Sequence, residues 1–248
     1  VFCASLADVF EDRPELEHPR RRLFELISDT PHLDWLLLTK RPENAWWMLQ
    51  REYNDRVGAV LSAAHDGRGT VPTVWPLPNV WLGVTAEDQE RADERIPILL
   101  ATPAAVRFVS YEPALGPIDF SCSVGSGCGA LSLGWTFSAG QGDHHPSGDG
   151  RGGWWSDLGH MPGEPPQVDW VIVGGESGSR ARPFDVQWAR DTITQGRAAG
   201  TPVFVKQLGA VPVTEGRELD LVHDRKGGDM SEWPEDLRVR EFPVLGGG

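Results

Sequence analysis

At 248 residues the chain is long for an ordinary domain, yet within the roughly 200 to 250 residues that one α/β barrel occupies. An apolar fraction of 40% and a charged fraction of 24% argue against disorder, and no apolar run reaches the roughly 20 residues that cross a bilayer. A formal charge of -13 sets a repulsive long-range field against phosphate, which excludes broad attraction to nucleic acid but allows a local basic pocket.

The chain opens at Val1 inside what reads as a strand, Val1 to Ala4, running into Ser5-Leu6-Ala7-Asp8; an element ahead of Val1 is expected from that opening. Leu23, Phe24, Leu26 and Ile27 then fall on one helical stripe. Trp35 to Leu38 is the second apolar run and leads into Thr39-Lys40-Arg41-Pro42, after which Ala45 through Leu49 begins a helix. Residues 54 to 79 read as an extra connection ending in Pro72, Pro76 and Pro78. Val80 to Val84 follows, with Thr85 and Asp88 as a capping pair for a helix through Ala92, Ile96 and Leu99 that Pro97 kinks or shortens. Val106 to Val109 runs into Ser110-Tyr111-Glu112-Pro113, and 119 to 167, rich in Gly, Ser and Pro, reads as a long surface insertion, poorly packed and dispensable for folding. Trp170 to Val173 leads into Gly174-Gly175-Glu176-Ser177, and Asp185 N-caps a helix that ends near Gly200. The sixth run, Pro202 to Val205, leads into Lys206-Gln207, and from 209 to 248 the rhythm dissolves into a tail laid across the domain.

Apolar runs of this kind, continuous rather than alternating, are strands buried on both faces, as in a parallel sheet covered by helices. The expectation is a single α/β domain over 1–248. In such folds ligands bind beyond the carboxyl ends of the strands, where loops vary freely and helix N-termini point. Lys40, Arg41 and Lys206 would bring positive charge to that mouth, and Asp8, Glu87, Asp88, Glu112 and Glu176 negative charge, a mixture suited to a zwitterionic ligand. Each also has a plain reading as a cap, a loop ion pair or a solvated group, and capping accounts fully for Asp88. Glu112 and Glu176 directly follow buried runs, where a carboxylate must find a partner or change its protonation. Together with Lys40 and Lys206 they are expected to converge on one cavity.

The glycines of Gly174-Gly175-Glu176-Ser177-Gly178 permit close backbone approach and could cradle an anion or nucleotide; the alternative is a tight turn ahead of Arg180 and Arg182. Cys122 and Cys128, with His144, His145 and His160 downstream, are spaced too widely for a structural zinc site. Trp46 and Trp47 read as packing on a helix, while Trp154 and Trp155 are alternatives as stacking platforms. Three cysteines, Cys3, Cys122 and Cys128, are too few for a disulfide scaffold and suit the reducing cytoplasm.

Seven strings in order carry a family resemblance. They are Val-Phe-Cys-Ala-Ser-Leu-Ala-Asp-Val-Phe from Val1, Leu-Leu-Thr-Lys-Arg-Pro from Leu37, Asn-Val-Trp-Leu-Gly-Val-Thr from Asn79, and Arg-Phe-Val-Ser-Tyr-Glu-Pro from Arg107. Trp-Val-Ile-Val-Gly-Gly-Glu-Ser from Trp170, Val-Phe-Val-Lys-Gln from Val203 and Gly-Arg-Glu-Leu-Asp from Gly216 complete the set. Together they resemble the bacteriophage Gp thirty-seven/Gp sixty-eight family, a domain of unknown function. The resemblance implies a partial parallel (β/α) barrel of the radical-SAM or TIM type. Members typically carry, upstream of the first string, cysteines of the kind that hold a 4Fe-4S iron-sulfur cluster beside S-adenosylmethionine (SAM). Three convergent thiolates are not found in this chain, so no cluster is expected on it. On this reading Glu112, Glu176 and Lys206 are the candidate catalytic groups, and Ser5, Asp8, Lys40, Arg41, Gly174, Gly175, Ser177 and Gln207 line the ligand, a small molecule of nucleotide type. Two other readings stay open: a ligand-binding or nucleic-acid-processing partner on the same barrel without radical chemistry, and a metal-assisted hydrolase using Asp8, Glu112 and Glu176, although no histidine sits at a strand end.

Overall fold

All six apolar runs form strands of one sheet. They are β1 (Phe2–Cys3), β2 (Trp35–Thr39), β3 (Val80–Thr85), β4 (Val106–Tyr111), β5 (Trp170–Gly174) and, after a two-residue β6 (Phe184–Asp185), β7 (Val203–Gln207). The computed structural model describes residues 1–3, 7–65, 76–120, 167–221 and 223–244, with side chains of 56–65 set aside. The insertion expected over 119–167, with Cys122, Cys128, its histidines and Trp154 and Trp155, lies almost wholly outside the described residues, as does Ser5.

The sheet order is β1-β2-β3-β4-β5-β7, every pair parallel. Strands that follow one another without a reversal, joined by right-handed crossovers, place their helices on one face and curl the sheet the other way. The result is a six-stranded curled half-barrel. The helices are α1 (Glu17–Asp29), α2 (Pro42–His65), α3 (Gln89–Ala101) and α4 (Val186–Ala199). Among the described residues, no helix is long and apolar enough to cross a membrane.

Alternation along the strands divides two cores. Leu37, Leu82, Val84, Val109, Val171, Val173, Val203 and Val205 face the helices and pack with Phe24, Ile27, Leu99 and Ile193. The concave face holds Trp81, Val106, Phe108, Trp170 and Ile172, flanked by Leu36, Leu38 and Phe204. Trp170 stands at the centre of this aromatic floor, with ring centroids 5.9 Å from Trp81, 6.1 Å from Phe108 and 5.9 Å from Phe204.

Several expectations need correction. Ser110 and Tyr111, read as a turn, continue β4, and Lys206 and Gln207 continue β7, because the parallel ladder extends past the apolar run. Thr85 closes β3 rather than capping a helix; Asp88 alone caps α3, its side chain accepting from the Arg91 N–H at 2.9 Å. Pro97 sits inside α3 without ending it. The helix begun at Pro42 runs to His65, so much of the connection expected over 54–79 is α2. By contrast α4 has the expected ends, with Asp185 accepting from the Gln187 N–H and Gly200 in the left-handed conformation at φ 73. The tail carries structure of its own: β8 (Pro212–Thr214) and β9 (Arg217–Glu218) join β6 in a small second sheet. Farther on, Val239–Glu241 lies antiparallel along β7, with Val205 N–H donating to Val239 O at 2.8 Å and Glu241 N–H to Val203 O at 3.0 Å.

Candidate functional site

The strand period of two decides which polar residues reach the concave mouth. Leu36 and Leu38 face the floor, so Lys40 continues that face; Trp81 is followed in the same way by Thr85 and Glu87, Phe108 by Ser110 and Glu112, and Phe204 by Lys206. These residues form an arc at the carboxyl ends of β2, β3, β4 and β7.

Glu112 is one of two enclosed acids of the arc, with 14% of its side chain exposed against 12% for Glu87. Its Oε2 accepts from Lys206 Nζ at 3.2 Å and from Ser110 Oγ at 3.4 Å. Burial pushes the Glu112 carboxyl above the usual carboxylate range, while Lys206 and Ser110 pull it back down. Since β5 separates β4 from β7, the Glu112–Lys206 pair must cross the end of β5, where Gly174 stands. A Cβ at Gly174 would come within 2.8 Å of Glu112 Oε1, so glycine there leaves the room the carboxylate occupies. The loop after β4 is fastened on both sides, by Ala114 N–H to Gly174 O at 2.9 Å and Leu115 N–H to Glu87 O at 2.8 Å.

Lys40 Nζ donates to Glu87 Oε1 at 2.6 Å, and Arg95 holds the other Glu87 oxygen at 3.1 Å. Glu176 makes the third pair, taking Arg182 Nε at 2.8 Å, Nη2 at 3.0 Å and its backbone N–H at 3.0 Å. Hydrogen bonds from Arg182 push the Glu176 carboxyl down to about 2. The expected convergence thus resolves into three ion pairs: Glu112 meets Lys206 directly, Lys40 goes to Glu87, and Glu176 goes to Arg182, whose charge is felt at Glu87.

The remaining predicted residues are committed to the frame. Asp8 accepts from Thr39 Oγ1 at 2.8 Å, the Phe10 N–H at 2.9 Å and the Lys40 N–H at 3.0 Å, tying the loop after β1 to the end of β2. Arg41 turns to Glu11 and Asp8, at 3.5 and 3.7 Å. Gln207 Nε2 donates to Gly175 O while Gly175 N–H donates to Gln207 O, each at 3.0 Å. Gly175 cannot carry a side chain, since its Cβ would meet Leu208 O at 2.4 Å. Ser177 is exposed. Glu87, expected among the negative charges of the mouth, stands in the arc; Ser110 and Arg182 carried no expected site role, and for Ser110 the spacing of two residues from the concave Phe108 is the signal that finds it.

Among the described residues Cys3 is the one cysteine, and no three His, Cys, Asp or Glu side chains come together as metal ligands. Those residues do not fit an iron-sulfur cluster, which needs convergent thiolates.

The molecule is therefore an α/β half-barrel protein with an arc of ion pairs at the strand-end rim, the end where parallel α/β folds hold small ligands. The chain belongs to the family described as Protein of unknown function (DUF5131), whose model matches residues 1–233. No curated protein and no solved structure matches it.

Proposed function

We propose that this chain is a radical-SAM-like half-barrel of the Gp thirty-seven/Gp sixty-eight type, working in the cytoplasm, whose mouth binds an amino-acid-bearing nucleoside such as SAM. The observation that carries the reading is the enclosed Glu112–Lys206 pair spanning Gly174. An ion pair half-withdrawn from water is weak support for stability but a common arrangement where a ligand is to be held. Lys206, whose ammonium keeps N–H groups free for other acceptors, would take the ligand carboxylate. Glu112 would take the ligand ammonium or a ribose hydroxyl, and with its carboxyl raised by burial it holds a proton more readily than an ordinary carboxylate. The family resemblance supports SAM as the ligand to try first; no step here is assigned to a cluster.

The test is calorimetric titration of the whole chain with SAM, alongside Glu112→Gln and Lys206→Met. Binding is expected in the parent and a loss of at least tenfold in each variant, about 1.4 kcal/mol at 25 °C. A parent that takes up no SAM, or variants that bind as the parent does, would overturn the assignment of this mouth.

A further inference from the structure

Lysine is scarce in this chain: Lys40, Lys206 and Lys226 are the three among 23 basic residues, the others being arginine. Two of the three end strands on the concave face, one toward each side of the mouth, on β2 and β7. Their environments match. Each is more than half exposed, Lys40 at 58% and Lys206 at 54%, and each rests on a glutamate that is mostly enclosed, Glu87 at 12% and Glu112 at 14%. The carboxylates sit behind and the ammonium groups face out, so each lysine is tethered while retaining donors for a ligand.

The hydrogen-bonding inventory of the arc is lopsided. Lys40, Thr85, Ser110 and Lys206 all donate. On the acceptor side, both Glu87 oxygens are taken by Lys40 and Arg95, and Glu112 Oε2 is taken by Lys206 and Ser110. That leaves Glu112 Oε1 as the arc's uncommitted carboxylate oxygen, and it faces Gly174. We infer that the arc from Lys40 to Lys206 is a phosphate subsite, taking the phosphate or diphosphate of a nucleotide-like substrate. Two exposed ammonium groups, each with N–H bonds left over beyond its glutamate, suit a compact anion with several equivalent oxygens better than a single carboxylate, and lysine serves phosphate as a point charge. The strands of Lys40 and Lys206 lie four spacings apart, about 19 Å along a flat sheet. Curling shortens that span, and the two four-carbon arms close more of it. The net charge of -13 sets a repulsive outer field, so affinity must come from this local arc.

The inference rests on the mouth being the ligand site, and it adds a substrate class to it. The probes are AMP and pyrophosphate, titrated into the whole chain by calorimetry beside SAM. Lys40→Met and Lys206→Met should each weaken AMP and pyrophosphate at least tenfold, and Arg22→Met, which removes an exposed cation on α1, should leave both unchanged. A second measurement needs no variant: amine acetylation of the parent, read by mass spectrometry, should slow at least fivefold at Lys40 and Lys206 with saturating AMP and stay the same at Lys226. SAM binding without AMP or pyrophosphate binding would overturn the phosphate subsite and leave the proposed function standing. AMP protection of both lysines without SAM binding would uphold the subsite and remove SAM from the reading. Equal labelling at all three lysines would refute the subsite outright.

Discussion

Replacing Gly174 by alanine separates the site from the fold that carries it. The added Cβ would lie 2.8 Å from Glu112 Oε1 and 3.1 Å from Gln207 O. Ordinary contact requires the carboxylate to withdraw by roughly 0.5 Å. The Lys206 Nζ to Glu112 Oε2 bond is already 3.2 Å, at the long end of the usual range, so a carboxylate pivoting off β5 by that much loses it. Overpacking of this size costs about 1 to 3 kcal/mol, offset by up to about 1 kcal/mol from the reduced freedom of the unfolded chain. For a chain of this length each kcal/mol moves Tm by about 2 to 4 °C, so the net cost of up to about 3 kcal/mol lowers Tm by up to roughly 12 °C. SAM affinity should fall at least tenfold alongside it. Gly116→Ala is the control, since its Cβ would meet only Asp88 Cβ, at 3.9 Å. Thermal unfolding by circular dichroism and calorimetric titration read the two effects. A Gly174→Ala protein with parental Tm and parental affinity would refute the argument that glycine holds space for the Glu112–Lys206 pair.

Three further outcomes follow from particular contacts. Because burial raises the Glu112 carboxyl, the native state holds that proton to higher pH than the unfolded chain; the stability it contributes is full below the unfolded value and is lost as pH rises through the folded one. Glu112→Gln should therefore flatten the fall in Tm between acid and neutral pH, and an unchanged pH profile would contradict it. Arg182→Ala, which removes the guanidinium but keeps the backbone N–H, should raise Glu176 from about 2 toward the ordinary carboxylate range near 4.3, a shift read by carbon NMR titration; a Glu176 that does not move would mean the Arg182 side chain is not the cause. Deleting residues 239–248 removes the two ladder bonds to β7, the Trp170 Nε1 to Glu241 O bond of 2.8 Å and the Phe242 ring 5.4 Å from Trp170. At about 1 kcal/mol per bond the loss is about 3 kcal/mol, and the bared β7 edge should make the protein self-associate with concentration, as light scattering would report.

What the sequence made legible, and what it did not, divides along the distinction between local pattern and curl. Each apolar run became a strand because a parallel sheet packed against helices on one face and aromatic side chains on the other needs apolar residues at consecutive positions, and Trp35–Thr39, Val80–Thr85 and Trp170–Gly174 supply them. The small β6-β8-β9 sheet was not legible, since strands of two or three residues carry no period to read. The partner of Lys40 was not legible either, because its distance to Glu87, 47 positions away, is fixed by the sheet's curvature rather than by any neighbour in sequence. Yet the half of the site that matters most was available at short range. Phe108, Ser110 and Glu112 step by two along one strand, so a hydroxyl and a carboxylate stand above a buried ring on one face whatever the rest of the chain does. Given also that parallel strands β4, β5 and β7 end together, a concave lysine on β7 has one route to that carboxylate, across the end of β5, and the residue on that route is a glycine. The pair follows from period, strand order and one missing side chain, and that is why Gly174 rather than either charged residue gives the sharper test of the site.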